Sequence, residues 1–107
     1  MYIAMNRFAV ARGREDEFEK IWRSRNSYLD EVPGFVRFHL LRGASSESST
    51  VFLLHSQWES EAAFIAWTKS EAFRLAHANA KSPRGLLLGH PVFEGYAPVD
   101  LSLSDAE

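Results

Sequence analysis

The sequence predicts an α+β fold in which strands and helices follow one another in the order βαββαβ. Four short apolar segments have the length and composition of strands, at residues 2–10, 35–42, 51–58 and 92–99. Between them lie one amphipathic helical segment and one long stretch without Gly or Pro. A chain of 107 residues is just large enough for one domain with an ordinary core.

The first strand places Asn6 on the same face as Tyr2, Phe8 and Val10, because side chains alternate between the two faces of a strand. An amide on such a face has two interpretations. It either bonds to backbone at the edge of a sheet or reaches into a pocket. Taken alone, the residue favours the first interpretation.

Residues 14–32 carry apolar side chains at helical spacing, which predicts an amphipathic helix ended by Pro33 and Gly34. Arg25 interrupts the apolar stripe of this helix. Its guanidinium either snorkels at the edge of the stripe or points as a donor into a pocket beside Trp22.

The second and third strands predict a β-hairpin with a polar loop at residues 43–50. Both strands are apolar on both faces for most of their length. Helices can cover only one face of this sheet, so we expect a second copy of the chain to cover the other.

The helical stretch that follows carries Trp67 and, ten residues later, His77. On one unbroken helix, ten steps of about 100° would leave these side chains roughly 80° apart. Ser70 is a candidate N-cap, and Glu71 makes the next turn acidic. A break there predicts two short helices and lets Trp67 and His77 converge on one cavity.

Residues 82–91 have Gly and Pro at both ends and three leucines between them. Such a segment either covers an apolar ligand as a lid or packs on the core or on a partner. The domain is expected at residues 1–99, followed by a polar tail at residues 100–107. The complete order is that of a ferredoxin-like βαββαβ sandwich, a fold that hosts many functions.

Composition excludes several classes of function. The net charge of −2 gives no basic stripe for nucleic acid. The absence of cysteine rules out disulfides, iron–sulfur clusters and thiolate-ligated haem. Neither a signal peptide nor a membrane-spanning run is visible, so no membrane association and a cytoplasmic location are expected.

The motifs of common enzyme classes are missing as well. The histidines lack zinc-site spacing, and there is no nucleophile elbow and no phosphate-binding loop. What remains is Asn6, Trp67 and His77. The small alanines around His77 would let a flat, bulky ligand approach its imidazole, as five-coordinate haem iron requires. The residues alone still favour an ordinary histidine.

Five segments resemble a known family, namely Met5-Asn6-Arg7, Pro33-Gly34-Phe35, Trp58-Glu59-Ser60, Ala63-Phe64-x-x-Trp67 and Phe73-x-x-Ala76-His77. Together they resemble the haem-degrading monooxygenases of the IsdG type, within the antibiotic biosynthesis monooxygenase (ABM) superfamily, over about residues 2–98. The second and third segments are shared with the wider superfamily. The Asn, Trp and His residues, in matching order and spacing, are the more specific part.

The resemblance implies a homodimer of ferredoxin-like subunits that form a dimeric α/β-barrel, with one haem bound between the helices and the sheet of each subunit. His77 would be the proximal ligand of the haem iron. Asn6 would hydrogen-bond the distal oxygen ligand, and Trp67 would press the porphyrin out of plane.

By the same resemblance, Arg25 would lie near the distal side, with Trp22 and Phe64 as pocket walls. The implied reaction consumes haem, dioxygen (O2) and electrons from an external donor, and an unidentified reductase would deliver the electrons. It releases iron and a linear tetrapyrrole, so haem is both substrate and oxygen-activating centre.

Three alternatives stay open from the sequence. One is a cofactor-free ABM monooxygenase that acts on a quinol or polyketide. Another is a non-catalytic haem-binding protein, and a third is a ligand-binding or structural dimer of the same fold.

Overall fold

The computed structural model describes residues 1–25, 29–77 and 82–102, and of residue 77 only the backbone. The helices and strands are β1 (Tyr2–Ala11), α1 (Glu15–Ser24), a 3-10 turn (Leu29–Glu31), β2 (Phe35–Ser45), β3 (Ser49–Trp58), α2 (Glu61–Thr68), α3 (Glu71–His77) and β4 (Val92–Tyr96). None of the helices in this part of the chain has the length and hydropathy of a membrane-spanning segment.

The four strands form one antiparallel sheet in the order β2-β3-β1-β4. This order and the element sequence confirm the predicted α+β, ferredoxin-like fold. Strand β1 lies inside the sheet, between β3 and β4, while β2 and β4 form its edges. The dimeric form of the barrel stays a prediction.

One face of the sheet carries the core. Along β3 every second residue is buried, from Thr50 to Trp58, and the residues between them are half-buried. A first cluster of buried side chains joins Phe18 of α1 to Phe52 and neighbouring residues of the sheet. A second cluster surrounds Trp58, and Phe64 and Trp67 of α2 pack against it.

The prediction that one helix spans residues 14–32 is wrong beyond Ser24. At Arg25 the backbone turns to an extended conformation (φ −86°, ψ 132°). The N–H of Arg25 donates to the carbonyl of Trp22 at 3.4 Å, which closes a tight final turn. Leu29 lies in a separate 3-10 turn and packs in the cluster around Trp58, so its helical spacing from Phe18 is coincidental.

The hairpin loop is shorter than predicted, since only residues 46–48 lie between β2 and β3. Polar side chains continue both strands because they bond to each other, as Ser45 and Thr50 do at 2.7 Å between hydroxyl oxygens. The last strand also ends earlier than residue 99, at Tyr96. Pro98 follows, and proline cannot donate a hydrogen bond to a strand ladder.

The helical stretch is broken where the sequence predicts it. The hydroxyl oxygen of Ser60 accepts a hydrogen bond from the N–H of Ala63 at 3.1 Å and caps α2. That of Ser70 accepts one from the N–H of Phe73 at 3.1 Å and donates to the carbonyl of Trp67 at 2.6 Å. A new helix, α3, therefore begins after Ser70.

The leucine segment after residue 82 packs on the core. Leu86 is 0% exposed and belongs to the cluster around Phe18. Its carbonyl accepts from the N–H of Ala11 at 2.9 Å, and the N–H of Leu88 donates to Ala9 at 2.8 Å. These bonds extend the edge of β1 beyond β4. The core interpretation of this segment therefore holds for Leu86.

Candidate functional site

A cavity of about 290 Å³ lies between the core face of the sheet and the helices, near the lower end of the range for small-molecule sites. Most of the residues around it are apolar, and seven are aromatic. The lining residues are Ala4, Asn6, Trp22, Arg25, Leu29, Phe38, Leu54, Ser56, Trp58, Phe64, Trp67, Thr68, Phe73, Ala76 and Phe93.

Five of the six predicted site residues meet at this cavity: Asn6, Trp22, Arg25, Phe64 and Trp67. They come from β1, α1 and its C-cap, and α2. Strand β1, the C-terminal end of α1 and helix α2 therefore all place side chains around the same cavity. Their chemical roles stay predictions at this point.

His77 is the sixth predicted residue and the last residue of α3. Its imidazole lies outside the described part of the structure. The residue before it, Ala76, lines the cavity. Within the described residues no group of three or more His, Asp or Glu could hold a metal ion by itself. The role of His77 as an iron ligand stays a prediction.

Trp67 has a defined position because aromatic rings hold it on several sides. Its ring centroid lies 5.2 Å from that of Trp58, which is 0% exposed. Phe73 of α3 meets it edge-on at 4.8 Å, and Phe64 of α2 lies 5.9 Å away. Tilted and edge-on contacts of this kind restrict the orientation of each ring. The Trp67 wall of the cavity is therefore rigid.

Arg25 is the only charged side chain among the described lining residues. Its guanidinium carbon lies 4.2 Å from the centroid of the Trp22 ring, a cation–π contact. Burial lowers the pKa of the Arg25 guanidinium below its usual value, but such a group still stays charged at neutral pH. None of the described carboxylates pairs with it. This arrangement suits an anionic group on an otherwise apolar ligand.

The other polar side chains of the cavity differ in whether they already form hydrogen bonds within the protein. Ser56 accepts from the indole N–H of Trp58 at 3.0 Å and donates to the carbonyl of Ala4 at 3.3 Å. The Thr68 hydroxyl donates to Ile65 at 2.6 Å. For the Asn6 amide, the described residues provide no such partner. Asn6 is therefore the lining side chain most available to hydrogen-bond a ligand.

Phe93 is a lining residue that sequence reasoning missed. It lies on β4, whose cavity-facing parity also includes Gly95. Because β4 pairs with β1 so that Phe93 lies opposite Asn6, Phe93 shares the cavity face of the sheet with Asn6. That pairing joins residues almost ninety positions apart and is invisible in a local pattern.

The cavity residues fit a haem group by their chemistry. Aromatic walls match a flat apolar ring, and the Arg25 cation, which pairs with none of the described carboxylates, matches a carboxylate substituent. The small side chain of Ala76 leaves space beside the end of α3.

Comparison with known proteins assigns the chain to one family. The family model described as antibiotic biosynthesis monooxygenase matches residues 1–79. A "Heme-degrading monooxygenase" of Shouchella clausii is 29% identical over 96 residues, covering 86% of this chain and 85% of the relative. A "Heme oxygenase (mycobilin-producing)" of Mycobacterium tuberculosis is 34% identical over 80 residues, covering 75% and 73%.

A solved structure gives the same result for the fold. The heme-degrader MhuD from Mycobacterium tuberculosis, with two hemes bound in its active site, superposes with a TM-score of 0.72 and 28% identity. The match covers 92% of this chain and 96% of that one. On the family match, the two relatives and this fold, the chain belongs to the antibiotic biosynthesis monooxygenase family, as the sequence motifs predict.

Proposed function

We propose that this protein is a haem-degrading monooxygenase. It binds haem and opens the porphyrin ring with O2 and electrons from an external donor, releasing iron and a linear tetrapyrrole. The observation that carries the proposal is the aromatic cavity with the Asn6 amide on its sheet side and Ala76, next to His77, on its helix side. Relatives of the same family bear this activity in their names.

The walls of the cavity bind and orient the substrate in this proposal. Trp22 and Phe64 contact the flat faces or edges of the ring, and Arg25 binds a propionate through a charge-assisted hydrogen bond. Trp67 presses on one face of the ring. Because Trp58 and Phe73 hold it in place, Trp67 can transmit steric pressure without moving aside.

His77 and Asn6 complete the proposed site from the two sides. The haem supplies the iron at which dioxygen is activated. His77 holds that iron from the end of α3. Asn6 lies on β1 and donates a side-chain N–H to dioxygen. This hydrogen bond orients the dioxygen relative to the edge of the porphyrin ring. The apolar lining excludes water from this space.

A homodimer is also part of the proposal. The sheet face opposite the cavity carries Met5, Leu41 and Leu53, and none of these three is buried in the single chain. A second copy of the chain would cover this apolar surface. Sedimentation velocity at micromolar concentration should show a dimer, and a monomer there would contradict this part. Action in the cytoplasm and delivery of electrons by a reductase rest on the sequence alone.

Hemin titration followed by a reductant tests the proposed function. Purified protein should develop a Soret band that saturates at one haem per chain, and ascorbate in air should then bleach it and release chelatable iron. A band that persists under ascorbate indicates a non-catalytic haem-binding protein. The absence of binding at micromolar concentration would leave a cofactor-free monooxygenase or a structural dimer instead.

The ligand assignment has its own test. His77→Ala should bind haem more weakly and lose the five-coordinate spectrum, because the iron then lacks its protein ligand. His90→Ala is a suitable control, since His90 is exposed, lies outside the sheet and does not line the cavity. An unchanged spectrum in His77→Ala would show that another group ligates the iron.

A further inference from the structure

Phe93 and Asn6 are direct neighbours across two paired strands. The register of β1 and β4 places Asn6 opposite Phe93, and both residues line the cavity. Side chains directly opposite each other in an antiparallel pair have Cβ atoms about 4.5–5.5 Å apart. On its other side Asn6 lies opposite Leu54 of β3. The only side-chain amide among the described lining residues therefore lies between two apolar side chains.

The position of β4 gives Phe93 a second role. β4 is an edge strand, so the described sheet ends beyond it. Phe93 is the only cavity-facing side chain of β4 apart from Gly95, which has none. A Cβ added at Gly95 would collide with the hydroxyl oxygen of Tyr2. Phe93 is thus the one side chain of β4 that separates Asn6 from solvent at this edge.

The ring of Phe93 is held in place although it is 49% exposed. It stacks on Phe64 of α2, with centroids 5.6 Å apart and ring planes 11° from parallel. Phe64 in turn contacts Trp58 at 5.7 Å and Tyr2 at 5.5 Å. The stack connects the edge strand to the buried aromatic cluster.

We infer that Phe93 is a positioning residue for Asn6: its ring, stacked on Phe64, restricts the orientation of the Asn6 amide and shields it from water. The inference rests on the proposed function and adds to it a residue beyond the part of the chain that the family model matches. An amide with a fixed orientation, shielded from water, directs its N–H at the ligand. In a mobile, hydrated amide, water competes with the ligand for the hydrogen bond from that N–H.

The ligand-free protein provides the first test. Phe93→Ala should let the side-chain amide protons of Asn6 exchange with water several-fold faster in NMR spectra, since the shielding ring is gone. Phe93→Leu, which keeps most of the apolar volume, should restore slow exchange. Unchanged exchange in Phe93→Ala would overturn the inference, whether or not the protein degrades haem.

A double-mutant cycle in the haem-bound protein provides the second test. Phe93→Ala should lower the rate of haem degradation, measured as loss of the Soret band under ascorbate, about tenfold. The Kd for haem should change less than about threefold. In an Asn6→Ala background the same substitution should change the rate by less than about twofold. Equal rate losses in both backgrounds would show that Phe93 does not act through Asn6.

Two controls separate positioning from loss of structure. Leu88→Ala truncates a side chain of similar exposure, 48%, outside the cavity lining and should leave the rate unchanged. Thermal unfolding of Phe93→Ala and Phe93→Leu reports any loss of fold. A protein that binds no haem would refute the proposed function, and the amide exchange would still decide the relation between Phe93 and Asn6.

Discussion

The guanidinium of Arg25 lies 4.2 Å from the centre of the Trp22 ring, one residue after α1 ends. The aromatic face replaces part of the water that burial removes, and the described carboxylates leave the positive charge unpaired. Among the described lining residues the cavity therefore has one cation, positioned by the end of a helix, for an anionic part of its ligand.

Arg25→Ala should weaken haem binding about 10- to 100-fold, since a hydrogen bond to a charged group contributes about 1.5–3 kcal/mol. Arg23→Ala is the matched control, because Arg23 is 74% exposed and pairs with Glu19 on the helix surface. Titration with haem and with its dimethyl ester gives the readout. Equal losses of affinity for both ligands would contradict a bond between Arg25 and a propionate.

Asn6→Ala should keep haem affinity and slow haem degradation about 100- to 1,000-fold, the loss expected when a preorganised donor is removed. Asn6→Asp retains the shape of the side chain without its N–H donor and should be similarly slow. The rate of Soret loss under ascorbate is the measurement. A full rate in Asn6→Ala would remove this amide from the mechanism.

Two serine caps allow a paired experiment on the break between α2 and α3. Ser60→Ala and Ser70→Ala each remove a cap bond of 3.1 Å and should each cost about 1 kcal/mol of unfolding free energy. Only Ser70→Ala should also weaken haem binding. Ser70 determines where α3 begins, and the start of α3 determines the position of His77 at its other end. Denaturant unfolding and haem titration of both variants decide this. Equal haem affinities would show that the break does not position the site.

Glu15 is a buried carboxylate that predicts a pH dependence of stability. The Thr50 hydroxyl donates to it at 2.7 Å and the N–H of Gly13 donates at 2.9 Å. The bond from Thr50 is the main reason why the pKa of Glu15 lies below its usual 4.5. A lowered folded-state pKa means that this stabilisation is present above pH 4.5 and is lost as the pH falls through the lowered value.

The test compares the unfolding free energies of the wild type and Glu15→Gln. The difference between them should be largest near about pH 7 and shrink toward about pH 2. Glu59→Gln, at an exposed carboxylate, should differ little from the wild type at either pH. A difference for Glu15→Gln that stays constant over this range would mean that the carboxylate charge does not stabilise the fold.

Local patterns predict much of this molecule. Alternation along β1 places Asn6 on the core face, and a serine followed by an acidic turn marks the break at Ser70. Both features depend on residues within a few positions of each other, so a single sequence reveals them. The fold order follows from the same local signals.

Contacts between distant segments account for what the sequence does not predict. Leu29 has helical spacing from Phe18, yet α1 ends earlier because Leu29 packs around Trp58 in another cluster. Phe93 faces the cavity only through the pairing of β4 with β1. From the sequence, Glu15 resembles a solvated helix residue, but the hydroxyl of Thr50 on strand β3 donates a hydrogen bond to it.

The most direct test of the proposed function is the amount of iron that the haem-bound protein releases. Protein with one equivalent of haem is given ascorbate and catalase in air, with a parallel sample under nitrogen, and chelatable iron and the Soret band are followed together. We predict about one iron per bound haem in air, with loss of the band, and neither change under nitrogen. A Soret band that persists in air, without iron release, would show that the protein binds haem without degrading it.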